Sequence, residues 1–278
     1  MIYLILAILS SASINIVMRL SNGKVKNKIG MLVMNYVMCT VLSAAFTGFD
    51  NLLPKVPELG ETMAWGVLDG ILYLAGFVLL QLNIRKNGVV LTTIFAKLGL
   101  LVPMVLSIFL FNEMPSPVQG IGFALAIVAM LLINFEKNTE TVKFKAGLVM
   151  VLLAGGACDA MSKVYNFYGS SALNDQFVFY TFVVALLLCV ALMFYKKERP
   201  GKYELLFGLL VGIPNFFSAR FLLKSVDKLP AVIVYPTFSV AGILVVTLAG
   251  VLFFKEKLSK RQWMGAAVIL AALVLLNI

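Results

Sequence analysis

Long apolar stretches and short polar connections follow one another along the whole chain. Because the apolar residues run continuously within each stretch, the pattern favours helices over the alternating strands of a barrel. About 20 apolar residues are enough for a helix to cross a bilayer. The pattern therefore predicts an all-α integral membrane protein with ten transmembrane helices, at 2–21, 28–48, 62–84, 88–110, 116–135, 144–168, 172–195, 202–224, 230–253 and 259–278.

Composition supports a membrane protein and excludes several other classes. Hydrophobic residues make up 61% of the chain and charged residues 13%, which leaves too little polar surface to cover a soluble fold. The net charge of +10 lies in short clusters beside the spans, so no nucleic-acid partner is expected. The chain has no histidine, and its three cysteines form no CxxC motif, so we expect no disulfide framework, metal or cofactor.

Lysine and arginine are unevenly distributed among the connections, which predicts an orientation. The odd-numbered connections contain most of them: Lys24, Lys26, Lys28, Arg85, Lys86, Lys137, Lys143, Lys145, Lys196, Lys197, Arg199, Lys202, Lys255, Lys257, Lys260 and Arg261. The even-numbered connections contain only Lys55, Lys224 and Lys228. The odd-numbered connections are therefore expected in the cytoplasm, with both termini outside.

An internal repeat divides the chain. Residues 108–134 align without gaps to 251–277 at an offset of 143, with nine of 27 positions identical. The identical positions include a polar set that hydrophobic composition alone does not explain: Glu113/Glu256, Ser116/Ser259, Gln119/Gln262 and Asn134/Asn277. Ser-x-x-Gln predicts a capping box at the start of the fifth and tenth helices. The glutamates are interpreted as structural carboxylates near helix N-termini, and Gly122 and Gly265 as sites of close helix approach.

Weaker matches extend the repeat over the whole chain. Gly66-x-x-x-Gly70 matches Gly208-x-x-x-Gly212 at an offset of 142. We therefore predict two five-helix halves, 1–138 and 139–278. Because each half has an odd number of helices, the halves are inverted in the membrane, as in many secondary transporters.

The ten-helix pattern and the doubled Glu-x-x-Ser-x-x-Gln-x-x-Gly resemble the EamA-like branch of the drug/metabolite transporter superfamily. The resemblance covers the whole chain in architecture, but the specific motif covers only the end of each half. It implies a central cavity lined by helices 1–4 and 6–9, and transport of amino acids, metabolites, sugars or toxic compounds. The family pattern places the termini in the cytoplasm, whereas the loop charges predict them outside.

Ionisable residues within the first-half spans are candidate site residues, because they are costly in a bilayer. Asp69 can bind a cationic group or a coupling proton, or pair with a nearby lysine or arginine. Lys97 lies too deep to snorkel easily, so it can bind a substrate carboxylate or phosphate, or neutralise Asp69. In the second half, Asp159 and Lys163 are four residues apart on one helix face, which fits an ion pair or a coupling site.

Polar residues beside helix breaks complete the candidate site. Pro214 interrupts the eighth helix, so Asn215 beside it is a candidate substrate ligand. Arg220 can bind an oxyanion through two hydrogen bonds, or snorkel. The remaining candidates are Asn15, Asn35, Tyr73 and Tyr235, with packing or interhelical hydrogen bonding as the alternative for each.

These residues predict a transporter of a small solute. Lys97, Lys163 and Arg220 against Asp69 and Asp159 give a slightly positive cavity, which favours an anionic or zwitterionic metabolite such as an amino acid. We expect alternating access in the plasma or inner membrane, with a proton as a candidate coupling ion, in a monomer or homodimer. The alternatives are an exporter of cationic or drug-like compounds, or a passive exchanger or channel. A membrane enzyme is disfavoured by short loops and missing histidine.

Overall fold

A computed structural model describes residues 1–134, 144–255 and 259–278. Eleven helices occupy these residues: α1 (Ile2–Ser21), α2 (Lys28–Thr47), α3 (Leu59–Asn87), α4 (Val89–Leu98), α5 (Leu101–Phe111), α6 (Pro117–Asn134), α7 (Lys145–Tyr168), α8 (Asn174–Tyr195), α9 (Lys202–Val226), α10 (Ala231–Phe254) and α11 (Lys260–Leu276). Short 3-10 turns lie at Phe49–Asn51 and Ser171–Leu173.

The helices follow the predicted spans, with two corrections. Pro214 lies inside α9 without interrupting it, so the break predicted in the eighth helix is wrong. The fourth span is not a single helix, because it is interrupted at Gly99 and Leu100, which divide it into α4 and α5. Eight segments are long and apolar enough to cross a membrane, with Leu91–Phe111 taken as one segment, and Pro117–Leu132 is a shorter apolar helix. The all-helical fold is thus confirmed, whereas the number of ten crossings stays a prediction.

The chain forms two compact units that do not follow the division at 138/139. Unit 1 comprises Met1–Leu74 and Val164–Asp227, and unit 2 comprises Ala75–Lys163 and Lys228–Ile278. The boundaries pass through α3 and α7, and each unit takes elements from both halves of the sequence repeat. The two halves therefore remain a prediction as domains.

In unit 1, the doubled glycine motif forms two helix crossings. A Cβ added at Gly66 would lie 2.6 Å from the Cβ of Tyr180, and one at Gly70 would lie 2.7 Å from that of Val184, so α3 packs closely on α8. A Cβ at Gly212 would lie 2.5 Å from the Cβ of Met38, so α9 packs equally closely on α2. Only glycine allows this approach. The two helices that carry the glycine motif, α3 and α9, thus each pack on the second helix of the other sequence half, α8 and α2 respectively.

In unit 2, α6 packs along α11. Ala126 and Ala129 of α6 and Ile269 and Ala272 of α11 are fully buried in one apolar cluster. A Cβ at Gly122 would lie 2.9 Å from the Cβ of Leu275, which confirms the close approach predicted for this glycine.

The helix joints at the ends of the two sequence halves have the same local structure. Asn112 and Lys255 end α5 and α10 in the left-handed conformation, with φ of 53° and 54°. The amide N–H of Gln119 donates to Ser116 Oγ at 3.2 Å, and the side chain of Gln119 accepts from the amide of Ser116 at 3.0 Å. Ser259 and Gln262 form the same two bonds at 3.2 and 2.9 Å. Both predicted capping boxes are confirmed, while Glu256 lies outside the described residues.

Candidate functional site

The break between α4 and α5 places a lysine opposite a carboxylate in unit 2. Gly99 packs against Gly156 of α7 so closely that a Cβ on Gly156 would collide with the carbonyl oxygen of Gly99. Lys97 lies just before this contact and Asp159 lies three residues after it. Asp159 acts electrostatically on Lys97, which is half-buried, whereas Asp159 is accessible. Among the described residues of unit 2, Asp159 is thus the carboxylate whose charge acts on Lys97.

Lys163 has a different partner from the one predicted. Its ammonium lies 2.7 Å from Glu113 Oε1, and the side chains are 11% and 18% exposed. The ammonium also lies 5.6 Å from the ring centre of Phe111. The predicted ion pair between Asp159 and Lys163 is thus wrong among the described residues, because Glu113 from the α5–α6 joint is within reach of Lys163.

The other oxygen of Glu113 caps a helix. Oε2 accepts hydrogen bonds from the amides of Ala231 at 2.6 Å and Val232 at 3.4 Å, at the start of α10. First-turn amides have no partner within the helix, and the helix dipole favours a carboxylate there. Glu113 is a structural carboxylate at a helix N-terminus, as predicted, but the helix that it caps is α10 rather than α6.

Arg220 of α9 forms a bidentate ion pair in unit 1. Its Nε and one terminal nitrogen each donate to an oxygen of Asp175 at 2.8 Å. The guanidinium also lies 4.6 Å from the ring centre of Phe46. The bidentate geometry predicted for Arg220 thus exists, but its acceptor is a side chain of the protein. Asp175 was missed because it begins α8 and is 45 residues away in sequence.

Two asparagines meet where α2 crosses α9. The side-chain amide of Asn215 donates to Asn35 Oδ1 at 3.2 Å and to Cys39 Sγ at 3.6 Å. Cys39 in turn donates to the carbonyl of Gly212 at 3.3 Å. Asn35 is 3% exposed, whereas Asn215 is half-buried. The structure therefore brings together two of the predicted site residues and adds Cys39.

Asp69 and Tyr73 lie on one stretch of α3 facing α8. Asp69 is 5% exposed and accepts a hydrogen bond from the hydroxyl of Thr181 at 3.1 Å. The ring of Tyr73 packs edge-on against Tyr36 and Phe182, with ring centres 6.2 and 5.9 Å apart. These contacts favour a packing role for Tyr73.

Asn15 and Tyr235 are the last two predicted site residues. Asn15 is exposed and donates to the carbonyl of Ser11 on its own helix at 2.9 Å. Tyr235, beside Pro236 in α10, is 2% exposed. Within the described ranges, no three His, Cys, Asp or Glu side chains are grouped so that they could hold a metal ion.

The predicted positive charge is offset by carboxylates. Lys97 interacts with Asp159, Lys163 with Glu113 and Arg220 with Asp175. The count of deep charges made from the sequence did not include Glu113 or Asp175. Both lie near the ends of predicted helices, where carboxylates commonly stabilise a helix N-terminus. Together the three pairs have no net charge.

Comparison with known proteins gives the same architecture. The EamA-like transporter family matches residues 1–135 and again 146–278. An uncharacterized protein of Haemophilus influenzae is 24% identical over 97% of this chain and 95% of its own length. One solved crystal structure aligns with a TM-score of 0.78 over 99% of this chain and 96% of that chain, at 14% identity, which shows a shared fold.

Two relatives have functional names. "Probable glucose uptake protein GlcU" of Bacillus cereus is 28% identical over 77% of this chain and 78% of its own length. "Probable 4-amino-4-deoxy-L-arabinose-phosphoundecaprenol flippase subunit ArnE" of Proteus mirabilis is 30% identical over 36% of this chain and 95% of its own length. With its apolar helices and the family match over both parts, the chain is a multi-pass membrane transporter and belongs to the EamA-like transporter family.

Proposed function

We propose that the chain is a secondary transporter that moves a small, neutral or zwitterionic polar solute across the cell membrane by alternating access. The observation that supports the substrate class is that Lys97 and Lys163 in unit 2 and Arg220 in unit 1 each interact with a carboxylate of the same unit. Cations neutralised in this way offer little attraction to an anion. The name of the Bacillus cereus relative, a glucose uptake protein, supports a neutral solute such as a sugar.

Lys97 and Asp159 are the proposed centre of the solute site. Lys97 lies beside the interruption between α4 and α5, and Asp159 lies beside the contact of Gly156 with Gly99. Interrupted helices at membrane depth are expected where they line a cavity. Asp159 is accessible although it lies on a membrane-spanning helix, which is the position expected of a group that meets solute. An ammonium and a carboxylate side by side can bind a zwitterion or the hydroxyls of a sugar.

Counterflow into proteoliposomes tests this function. Vesicles preloaded with an unlabelled hexose, an amino acid, a phosphate ester or an organic cation would be diluted into the same labelled compound. We expect saturable counterflow of the hexose or the amino acid. Counterflow restricted to the organic cation would favour an exporter of cationic compounds, and non-saturable flux would favour a channel.

The role of the charge pair is tested by exchanging its members. Lys97→Met and Asp159→Asn each leave one charge unpaired, which is destabilising, so the exchange Lys97→Asp/Asp159→Lys is the informative variant. We expect about tenfold or greater loss of transport in each single variant and partial recovery in the exchange. Lys196→Ala, at an exposed lysine, is the control. Wild-type transport in all variants would contradict the assignment.

Proton coupling is proposed at Asp159. Binding of a proton would remove the negative charge opposite Lys97, so the pair would exist in two charge states between which solute can be exchanged. An imposed pH gradient is then expected to drive uptake in the wild type and not in Asp159→Asn. If the rate of uptake by the wild type is the same with and without the pH gradient, a proton is excluded as the coupling ion.

A further inference from the structure

The two asparagines at the crossing of α2 and α9 are held in fixed positions. A Cβ at Gly212 would lie 2.6 Å from the carbonyl oxygen of Asn35, so the two backbones touch at this point. Asn215 follows Pro214, the proline inside α9. Its amide nitrogen bonds Asn35 Oδ1 and Cys39 Sγ at 3.2 and 3.6 Å. The two carboxamides therefore form one rigid group.

Each carboxamide retains an unused hydrogen-bonding atom. An asparagine side chain has two donor hydrogens on nitrogen and one acceptor oxygen. In the part of the chain that the structure describes, Asn35 Nδ2 donates to no protein group, and Asn215 Oδ1 accepts from none. Asn35 is only 3% exposed, yet neither of these two atoms is one of the fully buried side-chain atoms without a partner. An accessible donor and an accessible acceptor on a largely buried pair are suited to a ligand.

The two atoms have the chemistry of a hydroxyl site. A hydroxyl donates one hydrogen bond and accepts others, so it can accept from Asn35 Nδ2 and donate to Asn215 Oδ1. Carboxamides carry no charge, so they recognise such a group without attracting an ion. Asn215 is half-buried, so a solute can reach the pair from its side.

We propose that the Asn35–Asn215 carboxamide pair binds a hydroxyl of a neutral, hydroxyl-bearing solute and selects it against analogues that lack that hydroxyl. The proposal rests on the proposed transport function and narrows its substrate class. A site built to hydrogen-bond a hydroxyl rejects the analogue without it, because the buried polar groups are then left unpaired.

Competition by deoxy sugars tests the pair. Counterflow of labelled glucose into proteoliposomes would be competed with glucose and with its monodeoxy analogues, one position at a time. The measured ratio is the inhibition constant of a deoxy analogue divided by that of glucose. In the wild type we expect this ratio to be about ten or more for at least one deoxy position. In Asn35→Leu and Asn215→Leu, the ratio should fall to within about twofold of one. Asn35→Ala and Asn215→Ala serve where a leucine variant does not fold, as judged by thermal unfolding in detergent.

Cys189→Ala is the control, because Cys189 is also a buried cysteine of unit 1 but is no part of the asparagine pair. It should keep the wild-type ratio, whereas loss of the ratio in Cys189→Ala would indicate a general packing effect and overturn the proposal. An unchanged ratio in folded Asn35 and Asn215 variants would also overturn it. If the wild type carries an amino acid but no sugar, the hydroxyl proposal fails while transport stands; counterflow of no solute contradicts both.

Discussion

The carboxylate of Glu113 links the α5–α6 joint to α7 and α10 through one ion pair and two hydrogen bonds. It bonds Lys163 of α7 through one oxygen and the first amides of α10 through the other, from the joint between α5 and α6. The repeat identified Glu113 as a structural residue, because it recurs in register with a capping box. Its partners could not be predicted, since Ala231 lies 118 residues away. The same holds for Arg220 and Asp175, whose contact depends on how α8 and α9 pack.

We expect Glu113→Gln to lower the free energy of unfolding by about 1–3 kcal/mol, because the Lys163 ammonium loses its counter-charge in a half-buried setting. Adding Lys163→Met should recover part of that loss, since no charge is then left unpaired. Unfolding in detergent, followed by circular dichroism, measures both effects.

Glu58→Gln, at an exposed carboxylate, is the control for Glu113→Gln and should leave stability unchanged. Equal stability of Glu113→Gln and the wild type would show that the ion pair contributes nothing.

At the scale of helices, most of the architecture could be read from sequence. The apolar runs predicted the helices to within a few residues, Ser-x-x-Gln predicted both capping boxes, and Gly122 predicted one close approach. The interruption at Gly99 was missed because the run from 88 to 110 is mainly apolar and Gly99 has an ordinary helical φ of −52°. Gly156 on α7 indicates that some backbone packs closely against it, but a single sequence does not identify Gly99 as that neighbour.

Alanine substitution of the crossing glycines tests the packing of α3 on α8. A Cβ at Gly70 would lie 2.8 Å from the carbonyl oxygen of Thr181, which is backbone and cannot move aside easily. We expect Gly70→Ala to destabilise the protein by about 1–3 kcal/mol through overpacking. Gly76→Ala on the same helix meets nothing within 4 Å and should be neutral or slightly stabilising, because alanine favours helix. Unfolding in detergent measures both, and equal effects would contradict the crossing.

For the whole molecule, the membrane class, the repeat and the transporter family could be predicted from the sequence, while the substrate depends on contacts that only the structure supplies. A count of deep charges favoured an anionic or zwitterionic solute. Each deep cation interacts with a carboxylate of its own unit, as Lys163 does with Glu113, and this supports the proposal of a neutral or zwitterionic solute.

Thiol labelling tests the orientation predicted from the loop charges. Lys55 and Lys196 are both exposed and lie in connections predicted on opposite sides of the membrane. With a membrane-impermeant maleimide, Lys55→Cys should be labelled in intact cells, and Lys196→Cys only after permeabilisation. The reverse pattern would support cytoplasmic termini, and labelling of both in intact cells would contradict the predicted helix count.

Saturable counterflow by the purified protein in proteoliposomes tests the proposed transport function. We expect labelled hexose or amino acid to accumulate in vesicles preloaded with the unlabelled solute, with loss of accumulation in Lys97→Met and partial recovery in the Lys97→Asp/Asp159→Lys exchange. Accumulation restricted to anionic or cationic solutes, or accumulation that is unchanged by the Lys97 and Asp159 substitutions, would contradict the proposed function.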